Sequence, residues 1–260
     1  MSIPSAPVMR PSRTRFNREH FSAHSLQELC ALLESFSLTV GKCFARPASK
    51  SKPRKIGHSI TLSLIEREKV RGVLMAILAS ILWRRIDTPG HDTCRLESNE
   101  NGWTLLGTSI FHHQFGPASL SYSLKCDLQW KTVWGRVWGI AGDQHIDYLV
   151  SHEGECWTLN GNAVSGLESL VDLDFSFTPA TNLAQIRRVP IPINKPVQLP
   201  VVWLDIDTGT LTKLLQAYER RAEMQVWYEA PSVGYRGMLE LAPSGFIRRY
   251  PNLWEAENTD

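Results

Sequence analysis

The chain has 260 residues, 43% of them apolar, and a formal net charge of +2, enough apolar material for a globular core of ordinary density. Its five cysteines, Cys30, Cys43, Cys94, Cys126 and Cys156, are odd in number and share no short spacing, which excludes a disulfide framework and a zinc-ligand pattern and points to free thiols in a reducing compartment. Charge and aromatics divide the chain. Residues 1–74 hold thirteen Lys/Arg against five Asp/Glu (+8), residues 75–260 hold fifteen against twenty-one (−6), and all nine Trp and six Tyr lie in the second part.

The first part, 1–74, reads as a basic, disordered extension. Arg10, Arg13, Arg15 and Arg18 precede a short amphipathic pattern, Leu26, Leu29, Leu33 and Phe36, and the polar stretch Arg46 to His58 has no apolar period. Three readings stay open for it: an organelle transit peptide, a basic arm for nucleic acid or membrane, or sequence upstream of a true start at Met75. The Lys50–Lys55 cluster has no interleaved aromatic residue to stack a base, so nucleic acid is not an expected partner. The longest apolar run, Val73 to Trp83, is too short to cross a bilayer, and the expected location is cytoplasmic.

From Ile77 onward, β-branched and aromatic runs alternate with turn chemistry in the manner of an antiparallel β domain over 75–260. Turns are expected at 87–90, 99–102, 115–117, 142–143, 160–161 and 243–245, where Gly, Asn and Pro supply the needed backbone angles. Strands are expected in the runs between them, including TVWGRVWGI, HIDYLVS, CWTLN, ESLVDLDFSF and VQLPVVWLDI. In the fourth, Val171, Leu173, Phe175 and Phe177 alternate with Asp172, Asp174 and Ser176. One segment has helical spacing instead. Leu211, Leu214, Leu215 and Tyr218 follow the cap candidates Asp207 and Thr208, which predicts a single helix about which the sheet must curve. The segment Thr178-Pro-Ala-Thr-Asn182 then reads as a corner between strands, and Arg187 and Arg188 as strand neighbours pointing to opposite faces.

DLDFSFTPATNLAQIRR (Asp172 to Arg188), VVWLDI (Val201 to Ile206) and IRRYPNLWEA (Ile247 to Ala256) resemble, in this order, the family called putative glycolipid-binding, formerly a domain of unknown function. ILWRRIDTPGHDTCRL, YSLKCDLQWKT and CWTLNG follow the same pattern upstream, so the resemblance runs from about Trp83 to the C-terminus. Two positions depart from it: Val133 stands where members carry a basic residue, and Leu170 where they carry a cysteine. The resemblance implies a mainly β (α+β) spiral β-roll, a many-stranded antiparallel sheet wrapped around a single α-helix. It also implies dimerisation and binding of a lipid or glycolipid.

A gap between such a sheet and its helix would suit an acyl chain, and sugar recognition would ask for aromatic faces and convergent polar groups. Trp130, Trp157, Asn182, Arg187, Arg188 and Trp203 are the ligand-binding candidates on that basis, against the reading that each tryptophan is core. Trp134 and Trp138, four apart about Arg136, could form an exposed aromatic stripe or a packing layer. Whichever arginine turns inward needs a carboxylate, and Asp172 or Asp174 is the expected structural ion-pair partner. His112 and His113 should point to opposite sheet faces, while His91-Asp92 and His152-Glu153 read as solvated loop residues. No nucleophile elbow, phosphate-cradling loop or metal-ligand spacing occurs, so no catalytic residue, cofactor or metal is expected. The expected function is a non-catalytic lipid or glycolipid carrier with an apolar cavity between sheet and helix. The alternatives are a hydrolase or isomerase acting on a small amphiphile, and a structural homodimer with no ligand.

Overall fold

The computed structural model describes residues 76–257, and the expected features of the extension lie outside these residues. Six long strands open the domain as an antiparallel meander: β1 (Ala76–Arg85), β2 (Gly90–Asn99), β3 (Gly102–His113), β4 (Gly116–Cys126), β5 (Thr132–Ala141) and β6 (Gln144–Glu153). Four of the five turns between them are those the sequence marks, and the fifth, at 127–131 between β4 and β5, is not among the expected ones. A short hairpin follows, β7 (Cys156–Leu159) and β8 (Asn162–Val164). A second meander closes the chain: β13 (Ala217–Ala222), β14 (Gln225–Ala230), a 3-10 turn at Pro231–Val233, β15 (Tyr235–Leu241), β16 (Ile247–Tyr250) and β17 (Trp254–Ala256).

The two meanders form one sheet because β17 pairs with β1, in the register Trp83↔Ala256, Arg84↔Glu255 and Arg85↔Trp254. With β10 (Val197–Gln198) added at the β13 edge, the sheet has 14 strands in the order β10-β13-β14-β15-β16-β17-β1-β2-β3-β4-β5-β6-β7-β8. Its two ends do not pair with each other, so it is not a closed barrel. The seam is pinned from inside. Fully buried Trp83 donates its indole N–H to the Ile247 carbonyl at 2.6 Å, and Trp254 packs under the Arg85 guanidinium at 5.2 Å.

Between the meanders the chain supplies an inner layer. A three-stranded sheet runs β12 (Thr210–Leu214), β11 (Val201–Asp205), β9 (Leu173–Phe175), with β9 and β11 parallel. The helix α1 (Asn182–Arg188) lies between β9 and β10 in sequence. This layer touches both arms of the large sheet. Toward the first arm, the Thr132 hydroxyl accepts from Leu173 N at 3.0 Å, and Phe177 packs on Phe111 and Tyr122. Gly135 of β5 makes the close approach of β9 feasible: a Cβ there would sit 2.5 Å from Leu173 Cδ2. Toward the second arm, α1 bonds to Tyr218 of β13. A sheet that contacts one inner layer through both arms must curve around it, and each fully covered Leu or Phe of that layer contributes roughly 2–3 kcal/mol.

The mainly β, single-helix architecture is therefore present, but the helix is not where the spacing placed it. Leu211 to Tyr218 spans strand β12, a two-residue break and the start of β13. Asp205 to Thr210 closes the β11–β12 hairpin instead, with Gly209 N bonded to the Asp205 carbonyl at 2.9 Å. Leu215 is 54% exposed while Gln216 is buried, which is incompatible with a leucine stripe. The helix instead takes up residues 182–188, the end of the expected corner at 178–182 and the run expected as strand around Arg187 and Arg188. Asn182 through Ile186 are all buried, polar and apolar residues alike, so α1 leaves no amphipathic period to read. The run ESLVDLDFSF shortens to three strand residues for a related reason. β9 is covered on both sides, and its aspartates lie inside rather than on a wet face.

Candidate functional site

The segment Thr178-Pro-Ala-Thr-Asn182 links three buried polar groups to the start of α1. Thr178 Oγ1 accepts from Ala180 N at 3.1 Å and donates to the Tyr122 hydroxyl at 3.2 Å, and that hydroxyl donates to Asp92 Oδ1 at 2.8 Å. Thr181 Oγ1 accepts from Phe175 N at 3.2 Å and donates to Asp174. Because its hydroxyl is engaged there, Thr181 stands at the helix N-cap without capping through its side chain. Asn182 Nδ2 donates to the Tyr218 hydroxyl at 2.8 Å, which itself donates to Gln185 Oε1 at 2.8 Å. Gln216 and Tyr228 extend this ladder at 2.9 and 2.8 Å, so α1 is bonded to the second arm almost wholly through side chains.

Burial pushes both Asp92 and Asp174 up to about 7, against the hydroxyl hydrogen bonds that favour the ionised form. Asp92 is fully buried and its Oδ2 has no partner among the described residues, which fits a neutral acid better than a carboxylate. Asp172 is also raised by burial, although Arg188 opposes this. These acids sit behind the β9–α1 layer as its anchors and not in an open site. The buried Cys94 and Cys126 thiols are likewise pushed up by burial, so neither is a ready nucleophile.

An open pocket lies at the C-terminal end of α1. It has a volume of about 560 Å³ and is lined by Ile186 through Pro192 and by Arg220 of β13. Its wall is apolar, from Ile186, Val189, Pro190, Ile191 and Pro192, and three arginines, Arg187, Arg188 and Arg220, complete the lining. Arg188 forms a two-point ion pair with Asp172, with Nε to Oδ1 at 2.8 Å. Arg187 donates to the Ser244 carbonyl in the β15–β16 turn, where Gly245 at φ +89 lies against Arg187 and Leu183. Arg220 donates to the carbonyls of Ile191, at 3.3 Å, and Glu223. The two adjacent arginines do not face opposite ways as strand neighbours would, because on a helix their side chains diverge by about 100°. The basic last turn also suits the negative end of the helix dipole.

The tryptophan candidates are dispersed. Trp157 is buried, stacks on His152 at 4.1 Å and donates to the Leu170 carbonyl at 3.1 Å. Trp130, at φ 64, stacks on Trp103 at 4.7 Å in the turn before β5. Trp203 sits half-buried in β11 opposite Thr212 and Asp174. None of the three lines the pocket. Trp134 is half-buried and Trp138 exposed, on one face of β5 with Arg136, which stacks over Trp138 at 5.4 Å. Arg187 and Arg188 do line the pocket. Asn182 and Asp174 lie deeper as structural partners, and Asp172 meets the pocket through Arg188.

At single residues some readings hold and others change. His112 is exposed and His113 buried as alternation requires, with His113 Nε2 at 2.6 Å from Asp207. Asp92 is not a loop residue but the buried end of the Tyr122 chain in β2, and His152 packs on Trp157 with Nδ1 at 2.9 Å from the Thr132 carbonyl. Arg220 and Gln185 escaped sequence reasoning. Arg220 lies in the charged run Glu219-Arg-Arg-Ala-Glu223, which resembles any solvated strand face, and nothing local marks a buried glutamine. Among the described residues there is no cluster of three or more His, Cys, Asp or Glu able to hold a metal, and no helix is long and apolar enough to cross a membrane.

No curated protein matches the chain. A solved structure of a DUF1089 family protein from Pseudomonas aeruginosa is similar in fold, with TM-score 0.55 and 16% identity over 81% of this chain and 99% of that one. The family model described as "Putative glycolipid-binding" matches residues 80–256, which takes in the large sheet, the inner layer and the pocket. The chain belongs to that glycolipid-binding family.

Proposed function

We propose that the domain binds a lipid or glycolipid without covalent chemistry, as a carrier or receptor, in the pocket at the end of α1. The observation that carries this reading is the pocket itself, an apolar wall beside cationic groups in about 560 Å³, the size range of small-molecule sites. Amphiphiles ask for this pairing of apolar and polar lining. The gap between sheet and helix is filled by fully buried Leu173, Phe175 and Leu183, so the receptacle lies at the helix end rather than along its length. The family name agrees with the ligand class.

Native mass spectrometry and solvent extraction of gently purified protein test the reading. Lipid should co-purify, and Val189→Asn, which puts a neutral polar group in the half-buried wall, should reduce retained lipid severalfold while the melting temperature stays near wild type. Retention that is indifferent to Val189 would place the ligand elsewhere.

A further inference from the structure

We infer that this pocket selects an anionic head group, a phosphate, sulfate or carboxylate, and that Arg187 and Arg220 bind it; the inference rests on the reading of the pocket as an amphiphile site. Three arginines line one pocket, and among the described residues only Arg188 has its charge matched, by Asp172. Among the described residues no carboxylate lies within 4.0 Å of Arg187 or Arg220, and the adjacent Glu219 is turned to Arg221 at 2.9 Å. Arg187 and Arg220 are held by backbone carbonyls alone, from the β15–β16 turn, the segment after α1 and the end of β13. A carbonyl fixes the direction of a guanidinium without cancelling its charge, and each group has five N–H donors, so both remain charged and have donors to spare. The C-terminal end of α1 contributes only about half a negative charge, less than the two positive charges left over.

Such an arrangement is pre-oriented for an oxyanion. The forked donors match its geometry, and the carbonyl anchors remove part of the ordering cost that a free surface arginine would incur. Beside them, the apolar wall from Val189 to Pro192 would receive the first part of a hydrocarbon chain. A neutral sugar would leave the pocket's excess positive charge uncompensated, so an acidic glycolipid or an anionic phospholipid fits better.

Flotation of the full chain with three kinds of vesicle tests this: phosphatidylcholine alone, with phosphatidylglycerol, and with a neutral galactosylceramide. Isothermal titration with inorganic phosphate runs alongside. Anionic vesicles should be preferred by about tenfold or more, with the preference weakening as salt is raised. The double variant R187L/R220L should lose the preference, R187K/R220K should keep part of it, and thermal melts report whether each variant is folded. Equal binding of anionic and neutral glycolipid vesicles, unchanged by R187L/R220L, overturns the charge inference and leaves the amphiphile pocket standing. Binding of phosphate that the double variant abolishes, with no binding to any vesicle, upholds the anion site and removes the amphiphile reading. Absence of binding to every probe removes both.

Discussion

Asp92 is linked to Thr178 through the Tyr122 hydroxyl and Asp174 accepts from Thr181 of the same segment, and the titration of both acids should be visible in the stability of the whole domain. Each ionises near 3.8 in an unfolded chain and near 7 when folded, so the native state holds the proton longer. Between these values the folded form binds more protons than the unfolded form, and stability must fall as pH rises. The contribution is complete below about pH 4 and lost by the time pH passes 7. Asp92→Asn keeps an acceptor for Tyr122 but cannot ionise. Melting curves from pH 5 to 8 should therefore show a shallower decline for D92N than for wild type, with the largest gain at the alkaline end. Identical slopes would show that Asp92 ionises freely in the native state.

At the level of elements, the α1 segment and the Leu211–Tyr218 segment exchange the roles their local patterns suggest. Helical spacing of leucines is a weak prior when β-branched threonines stand among them and a hairpin turn precedes them, as Thr208, Thr210 and Thr212 do here. Substitution separates the two geometries. A helix presenting Leu211, Leu214 and Leu215 on one stripe would suffer equally from a charge at any of the three. In the strand, Leu214 is 4% exposed opposite Val201, while Leu215 is 54% exposed in the break after it. Leu214→Asp should be severely destabilising, and Leu215→Asp should change stability by less than about 0.5 kcal/mol. Urea denaturation of both variants checks this, and comparable losses would return the segment to a helix.

For the whole molecule, the pairing of β17 with β1 turns two meanders into one sheet and makes the far C-terminal strand a structural centre. Trp254 is 4% exposed at this seam and stands under Arg85, which also lies over Phe111 of β3 at 4.7 Å and pairs with Asp87. Trp254→Ala should cost about 3–5 kcal/mol, the usual loss for a buried indole. Because the seam joins both arms, the variant should loosen them together. Hydrogen exchange should show lost protection in β2 and β3 as well as in β15 and β16, and protection lost only after residue 217 would mean that the arms are independent. The pocket depends on the same arrangement, since α1 comes from the inner layer and Arg220 from the second arm.

Most strand runs and turn positions were legible in the residues, because alternation and the chemistry of Gly, Asn and Pro act over a few neighbours and need no distant partner. The family string from Asp172 to Arg188 was equally plain, as was the need of an inward arginine for a carboxylate. Which segment is helical, which aspartates lose their water and where Arg220 meets Arg187 were decided only by tertiary packing. Asn182 to Ile186 of α1 are all buried and so show no period, and β9 has no wet face to betray Asp174. The sequence by itself determined an antiparallel β domain with most of its turns, since alternation and turn chemistry act locally, while the helix and the curved sheet were implied by the family resemblance and not by the residues that form them. The tertiary structure decided the pocket, since its two walls come from segments some thirty residues apart that only the packing of the inner layer on the second arm brings together.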